Sequence, residues 1–407
     1  MPALYIARWL LAINGLWLLP GISLGQERHF DFFNEPFSYT VDSTISVTID
    51  DTLSTTTIRK FYAMMAYGNH EPLVAALLRH QKNYKLNDWL YYQLVRRVAQ
   101  ELSPKGNNYI RYTLYKWFLM VKSGFDARLA YRGDQLIFYI QSEDDIEDLP
   151  YFTLDNNTYI CLNYHDYGEL FNLDNPYTLA DIADLIDDEP QSFSYRITRL
   201  PDFKDDSYVD KELRFNYKGK THHLTVKVNT EVATIFKNYP IVDFGMYFNI
   251  PLSAATYASL IPVLKEQVQG LPTEKGVDYL MRFTRQAFAF EDDHVTYGQE
   301  KRMSPEETLL NNSSDCDDRT ALFFYLVKEI YDLPMVTLRY PTHVTIAVRL
   351  DQPVGQYIDY NGYHYTICEP TPQGKELGLG ELSDKHRNEK YEVVYSYMPH
   401  AASPDTL

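Results

Sequence analysis

The same succession of helix, helix, strand and hairpin occurs twice in this chain, and any fold has to accommodate it twice. Residues 87–102 (NDWLYYQLVRRVAQEL) resemble residues 277–292 (VDYLMRFTRQAFAFED), with Asp88 set against Asp278. Residues 109–131 repeat the helix-then-strand pattern of residues 318–340. Residues 150–164 (PYFTLDNNTYICLNY) follow QYIDYNGYHYTICEP, and both hairpins hold an Ile-Cys pair, Ile160-Cys161 and Ile367-Cys368. We therefore expect an α+β chain in which one module is present in two copies. Residues 26–178 form a degenerate copy. Residues 179–250 form an acidic helix and linker followed by a β-rich segment. Residues 251–407 form the second module and a polar covering tail. In the β-rich segment, LRFNYKGKTHHLTVKVN alternates on either side of Lys218-Gly219-Lys220 and reads as a hairpin. His222 and His223 fall on its opposite faces and cannot form one paired metal site. No zinc spacing, phosphate loop or nucleotide fingerprint is present, so neither metal nor cofactor is expected.

The N-terminus reads as a secretory leader, residues 1–25. Arg8 precedes the apolar run WLLAINGLWLLPGISLG, and Pro20-Gly21 interrupts it short of a membrane span. A secreted or periplasmic location follows, with no stable membrane span once the leader is cleaved. The net charge of −17 excludes the basic footprint that nucleic-acid binding requires.

In an exported chain the three cysteines, Cys161, Cys316 and Cys368, are informative. They are too few and too scattered for a disulfide framework. Cys161 and Cys368 sit in strand-like apolar runs and read as buried, inert thiols. Cys316 follows the polar turn NNSSD and precedes a helical apolar run, so it falls in a first helical turn, with Ser314 or Asp315 as N-cap. Free amides and the helix dipole favour a thiolate there, whereas Asp315, Asp317 and Asp318 oppose it.

Such a thiol needs a base and a residue to orient it. His343 opens a strand in which Val344, Ile346 and Val348 alternate. Glu369-Pro370-Thr371 closes the hairpin around Asn361-Gly362. Adjacent antiparallel strands would set His343 and Glu369 side by side, facing the helix start, with Asp359 as the alternative orienter. The Cys316 amide can supply one oxyanion donor, and Tyr297 and Gln299 in the preceding loop are candidates for a second. Glu300, Lys301, Glu306 and Glu307 read as a solvated face.

At this point the chain resembles a known superfamily. Asp315-Cys316-Asp317-Asp318-Arg319 is similar to the G-D-C-D-D-K/R signature of the bacterial transglutaminase-like proteins. His343 and Glu369-Pro370-Thr371 resemble that family's histidine strand and its D-P-T strand end. The resemblance spans about residues 257–371. It implies a papain-like core with a Cys-His-Asp triad, here Cys316, His343 and Glu369. Two positions depart from the pattern: Ser314 replaces the glycine and Glu369 the aspartate. With Tyr131 set against Tyr340, Asn107 falls opposite Cys316 and Asp134 opposite His343. The Ile-Cys pairs set Leu162 against Glu369. The first copy is thus expected to be chemically empty. The function implied is thiol-dependent acyl transfer, with hydrolysis of an amide in a peptide or protein substrate expected over crosslinking. The alternative is a non-catalytic peptide- or glycan-binding cell-envelope protein. Nothing in the sequence fixes the oligomeric state.

Overall fold

The computed structural model describes residues 25–49, 52–172, 174–291 and 301–399. Apart from Gly25 the expected leader lies outside them, as do Tyr297, Gln299 and Glu300. Among the described residues, no helix is long and apolar enough to cross a membrane.

The chain opens with a hairpin, β1 (Gln26–Phe32) and β2 (Glu35–Val41), followed by α1 (Thr55–Tyr67) and α2 (Glu71–Tyr84). The β2 strand packs on α2 and brings Glu35 to 3.6 Å from His80, both buried. Burial favours the neutral form of both groups. It lifts the carboxyl to about 7 and depresses the imidazole to about 4.

The first module follows: α3 (Asp88–Leu102), α4 (Tyr109–Lys122), β3 (Ala127–Arg132), β4 (Gln135–Gln141), β5 (Tyr151–Leu154), β6 (Asn157–Cys161) and β7 (Thr178–Leu179). Next come β8 (Tyr208–Tyr217), β9 (Lys220–Asn229), α5 (Val232–Phe236), α6 (Phe244–Tyr247) and α7 (Ala254–Val268). Then α8 (Thr273–Gln286), β10 (Ala289–Phe290), α9 (Pro305–Leu310), β11 (Ser313–Ser314) and α10 (Cys316–Tyr331) lead into the second sheet. Its strands are β12 (Met335–Tyr340), β13 (His343–Val348), β14 (Tyr357–Tyr360), β15 (Tyr363–Cys368) and β16 (Glu392–Tyr397).

Two five-stranded sheets result, with orders β5-β6-β4-β3-β7 and β14-β15-β13-β12-β16. Strand for strand these are the same order, and the pairings within the shared hairpins are antiparallel in both. The outer hairpins turn at Asp155-Asn156 and at Asn361-Gly362, all four with positive φ, the geometry that suits a two-residue turn to the strand twist. Helix α4 lies on the first sheet as α10 lies on the second, and α3 and α8 pack on these helices in turn. Leu114, Trp117, Phe118 and Val121 of α4 are all buried. Truncating any one would cost about 2–5 kcal/mol.

Three sequence expectations change. The Ile-Cys pairs are not equivalent. Leu154 pairs with Asn157 and Tyr360 with Tyr363 at the two turns. Counting inward from each turn sets Cys161 against Ile367 and Leu162 against Cys368. Cys161 accordingly packs with Ile137 and Tyr139 on the outer face, while Cys368 belongs to the main core beside the helices. A one-residue slip exchanges the faces of a strand, and sequence likeness alone does not detect it. The acidic helix expected in 179–192 is only a single 3₁₀ turn, Ala183–Leu185, in a segment dense with carboxylates and closed by Pro190. The tail is more than a cover, because β16 forms an edge strand on β12. The β8–β9 hairpin is as expected, with Lys218 and Gly219 both at positive φ. His222 packs against Tyr279 and Phe215 while His223 is exposed.

Candidate active site

The start of α10 is fixed from several directions. Asp315 is the N-cap, and its Oδ1 accepts the amides of Asp317 and Asp318 at 3.0 and 3.2 Å. Among the described residues, that leaves the Cys316 amide without a hydrogen-bond acceptor. Asp318, wholly buried, accepts the Met303 amide at 2.8 Å and lies 3.1 Å from the Tyr247 hydroxyl. Arg319 is also wholly buried. Its guanidinium donates to the carbonyls of Ser314, Thr284, Arg285, Phe288 and Ala289 at 2.7–3.3 Å. These include orphan carbonyls at the end of α8, so one side chain ties the end of that helix to the start of α10. Burial draws its pKa down to about 10. Just before α10, β11 pairs in parallel with β10 and sets the angle at which the chain enters the helix.

The imidazole and its acid come from adjacent strands. His343 Nε2 lies 2.8 Å from Glu369 Oε2, and both side chains are buried. The other carboxylate oxygen, Oε1, accepts the Thr371 amide at 2.9 Å, which the Glu369-Pro370-Thr371 turn brings round. Arg285 holds this strand end by donating to the Glu369 carbonyl and to the Leu377 carbonyl. With Nε2 engaged by the carboxylate, Nδ1 is the nitrogen left for proton exchange.

Helix α10 delivers Cys316 to the neighbouring backbone. The thiol faces the Val344 amide, one residue beyond His343, and one turn further along the helix Thr320 donates to the Val344 carbonyl at 3.2 Å. The thiol and the imidazole are not hydrogen-bonded. Instead Sγ donates to Asp317 Oδ1 at 3.4 Å. Cys316 is half-buried, and its pKa is pushed well up, first by burial and then by Asp317 and Asp315. The thiolate expected from the helix dipole is thus not the resting form: desolvation and two carboxylates outweigh the dipole. Cys161 and Cys368 are free and fully buried, and burial raises both thiols, Cys161 to about 12.

Asp315, Cys316 and Asp317 present ligand atoms within 4.8 Å of one another. Asp315 is already committed to two amides and Asp317 faces Arg302 at 3.5 Å, so the cluster is accounted for without an ion. Asp359 pairs with His364 at 2.5 Å on the exposed outer hairpin and does not orient His343. Glu306 and Glu307, expected on a solvated face, are wholly buried. Glu306 accepts from the Asn229 and Ser253 amides and from the Ser253 and Thr256 hydroxyls. Glu307 closes a capping box with Ser304 and pairs with Lys301. Carboxylates are suited to a first helical turn, and here that turn lies inside the protein.

Sequence reasoning missed Arg285, Tyr247 and His386, and gave Arg319 no role of its own. Only Arg319 carried any signal, as the last letter of the DCDDR run. His386 stacks on His343 with ring centroids 4.6 Å apart and planes 9° apart.

The matching positions of the first module carry none of these groups. The tight ends of the β3–β4 and β12–β13 hairpins place Gln135, not Asp134, at His343. Counting from the outer turns places Asn163, not Leu162, at Glu369. The helix N-caps Asn108 and Asp315 place Tyr109, not Asn107, at Cys316, and the same count sets Trp117 at Phe324. Tyr109 and Asn163 hydrogen-bond each other at 2.8 Å, and the tyrosine hydroxyl donates to Asp166 at 2.8 Å, so this end of the sheet is closed by its own side chains.

No family model matches the chain, and neither a curated protein nor a solved structure matches it significantly.

Proposed function

We propose that the chain is an exported, thiol-dependent acyl-transfer enzyme of the transglutaminase-like class, acting by hydrolysis on an amide of a peptide or protein. The observation that carries this reading is the buried His343–Glu369 pair, 2.8 Å apart, one residue from the backbone that meets Cys316 at a helix start. In the proposed cycle His343 Nδ1 takes the thiol proton, and the sulfur attacks the amide carbonyl carbon. The Cys316 amide faces the developing oxyanion. The imidazolium, held by Glu369, then protonates the leaving amine as the C–N bond breaks and a thioester remains. Water, deprotonated by the same imidazole, opens the thioester to a carboxylic acid and restores the thiol. The resting thiol–Asp317 bond must give way to a thiol–imidazole bond for this cycle to begin. Catalytic contacts are commonly longer before substrate binds. On the same reading the first module, a duplicate without the reactive residues, serves as scaffold.

That resting bond also favours a second reading, a binding protein whose thiol stays protonated. Brief iodoacetamide treatment of the native chain at neutral pH, read by mass spectrometry, separates the two. The enzyme reading expects label on Cys316 and none on Cys161 or Cys368. Label absent from Cys316, or spread over all three, rejects it.

A further inference from the structure

We propose that His386 is a positioning residue for His343: its flat, neutral ring fixes the plane of the catalytic imidazole and stabilises the imidazolium that forms when the thiol is deprotonated. This rests on the proposed role of His343 as base.

Residues 378–389 form a strap lying over the end of the second sheet. Gly380 donates to the Ile367 carbonyl at 2.8 Å, and Leu382 is buried in the cluster on the outer face. Lys385 Nζ reaches Thr342 Oγ1 in the β12–β13 turn at 2.9 Å. The strap thereby delivers His386, itself buried, face to face with His343. Tyr340 closes the remaining side with its ring centroid 5.3 Å away. The edges of the His386 ring are held as well. Nδ1 lies 2.9 Å from Ser383 Oγ, and Nε2 has no hydrogen bond and faces the buried Glu389 Oε2 at 3.9 Å. An apolar side chain would fill this space with no unpaired nitrogen, so packing alone does not account for a histidine there.

A π face against a cation is favourable, whereas two stacked imidazolium rings would repel. His386 must therefore stay neutral while His343 takes the proton. Its surroundings favour that outcome. Burial, His343 and Lys385 disfavour a charge on it and outweigh Glu389 and Glu369, which favour one. Tyr340, whose phenol burial pushes up to about 12, and Tyr391 also lie on this side.

The test follows the rate of Cys316 alkylation by iodoacetamide across pH 5–9 in the full chain, with His343→Ala as reference. His386→Ala should slow alkylation at neutral pH by about tenfold and move the pH midpoint up by about one unit. His386→Phe, which restores a flat face, should recover most of that loss. Should His386→Ala fail to fold, His386→Leu takes its place with the same expectation. A folded Ala or Leu variant with the wild-type pH profile, alongside a slow His343→Ala, overturns the stacking proposal and leaves the base role intact. A Phe variant as slow as the Ala variant also overturns it. A His343→Ala variant that alkylates at the wild-type rate removes the base role itself, and the stacking proposal with it.

Discussion

Replacing Glu369 with glutamine changes one atom of a fully buried side chain, and the geometry states what that atom does. One carboxylate oxygen accepts from His343 Nε2 at 2.8 Å and the other from the Thr371 amide at 2.9 Å. A glutamine can keep only one acceptor. If its carbonyl stays on Thr371, its NH₂ faces His343 Nε2 and forces the ring proton onto Nδ1, the nitrogen that receives the thiol proton in the proposed cycle. The imidazolium also loses its buried counter-charge. A hydrogen bond to a charged group contributes about 1.5–3 kcal/mol, which corresponds to a fall of about ten- to hundredfold in the thiolate–imidazolium form. The same change in a serine triad costs on the order of 10⁴ in turnover, so acyl transfer should suffer more than alkylation. The assay is the rate of Cys316 alkylation at pH 7, with thermal unfolding alongside to show that the fold is retained. A folded Glu369→Gln chain that alkylates at the wild-type rate would refute both the role of the acid and the tautomer argument.

Two further outcomes concern stability. Arg319→Met strands four buried carbonyls and a part-buried fifth and should cost at least about 3 kcal/mol in urea unfolding, and Arg319→Lys should recover less than half, since an ammonium cannot reproduce the guanidinium fork; a loss under about 1 kcal/mol would contradict this. Glu35, lifted to about 7, binds a proton in the folded state that the unfolded chain releases near 4.5, so it lowers stability as pH rises from about 4.5 to 7, while His80, depressed to about 4, raises stability over about 4 to 6.5 and largely offsets it. Glu35→Gln should therefore stabilise the chain at pH 8 by up to about 3 kcal/mol and leave it unchanged near pH 4, read from urea midpoints at the two pH values.

Much of the second module was legible because its signals are local. A cap followed by an apolar run marked α10, alternation marked β13, and Asn361-Gly362 marked the outer hairpin. The shared strand order of the two sheets was legible for the same reason, as two runs of like periodicity. What escaped depends on partners distant in sequence. The Ile-Cys pairs looked equivalent, yet only the pairing of β6 with β4 and of β15 with β13 reveals that Cys161 and Cys368 face opposite ways. Strand β16 alternates weakly, and only its pairing with β12 makes it a strand. Glu306 and Arg319 carry charges that composition assigns to water, and their burial depends on donors and acceptors supplied by Asn229, Ser253 and the end of α8. His343 and Glu369 could be paired from strand order, but the competing claim of Asp317 on the thiol shows only in the folded chain.

The apolar interior does not stop at the boundary between the two sheets. Phe138 and Leu162 of the first belong to the same continuous cluster as Ile346 and Cys368 of the second, joined through the stretch that carries Ile235 and Val242. Trp89 donates to the Ile235 carbonyl at 2.9 Å, and Ile146 bridges to Val242. A chain built this way has no seam along which a protease could release a working half. Cutting away the first sheet would bare apolar surface on the second, and the product would be a sticky fragment in place of a smaller folded protein.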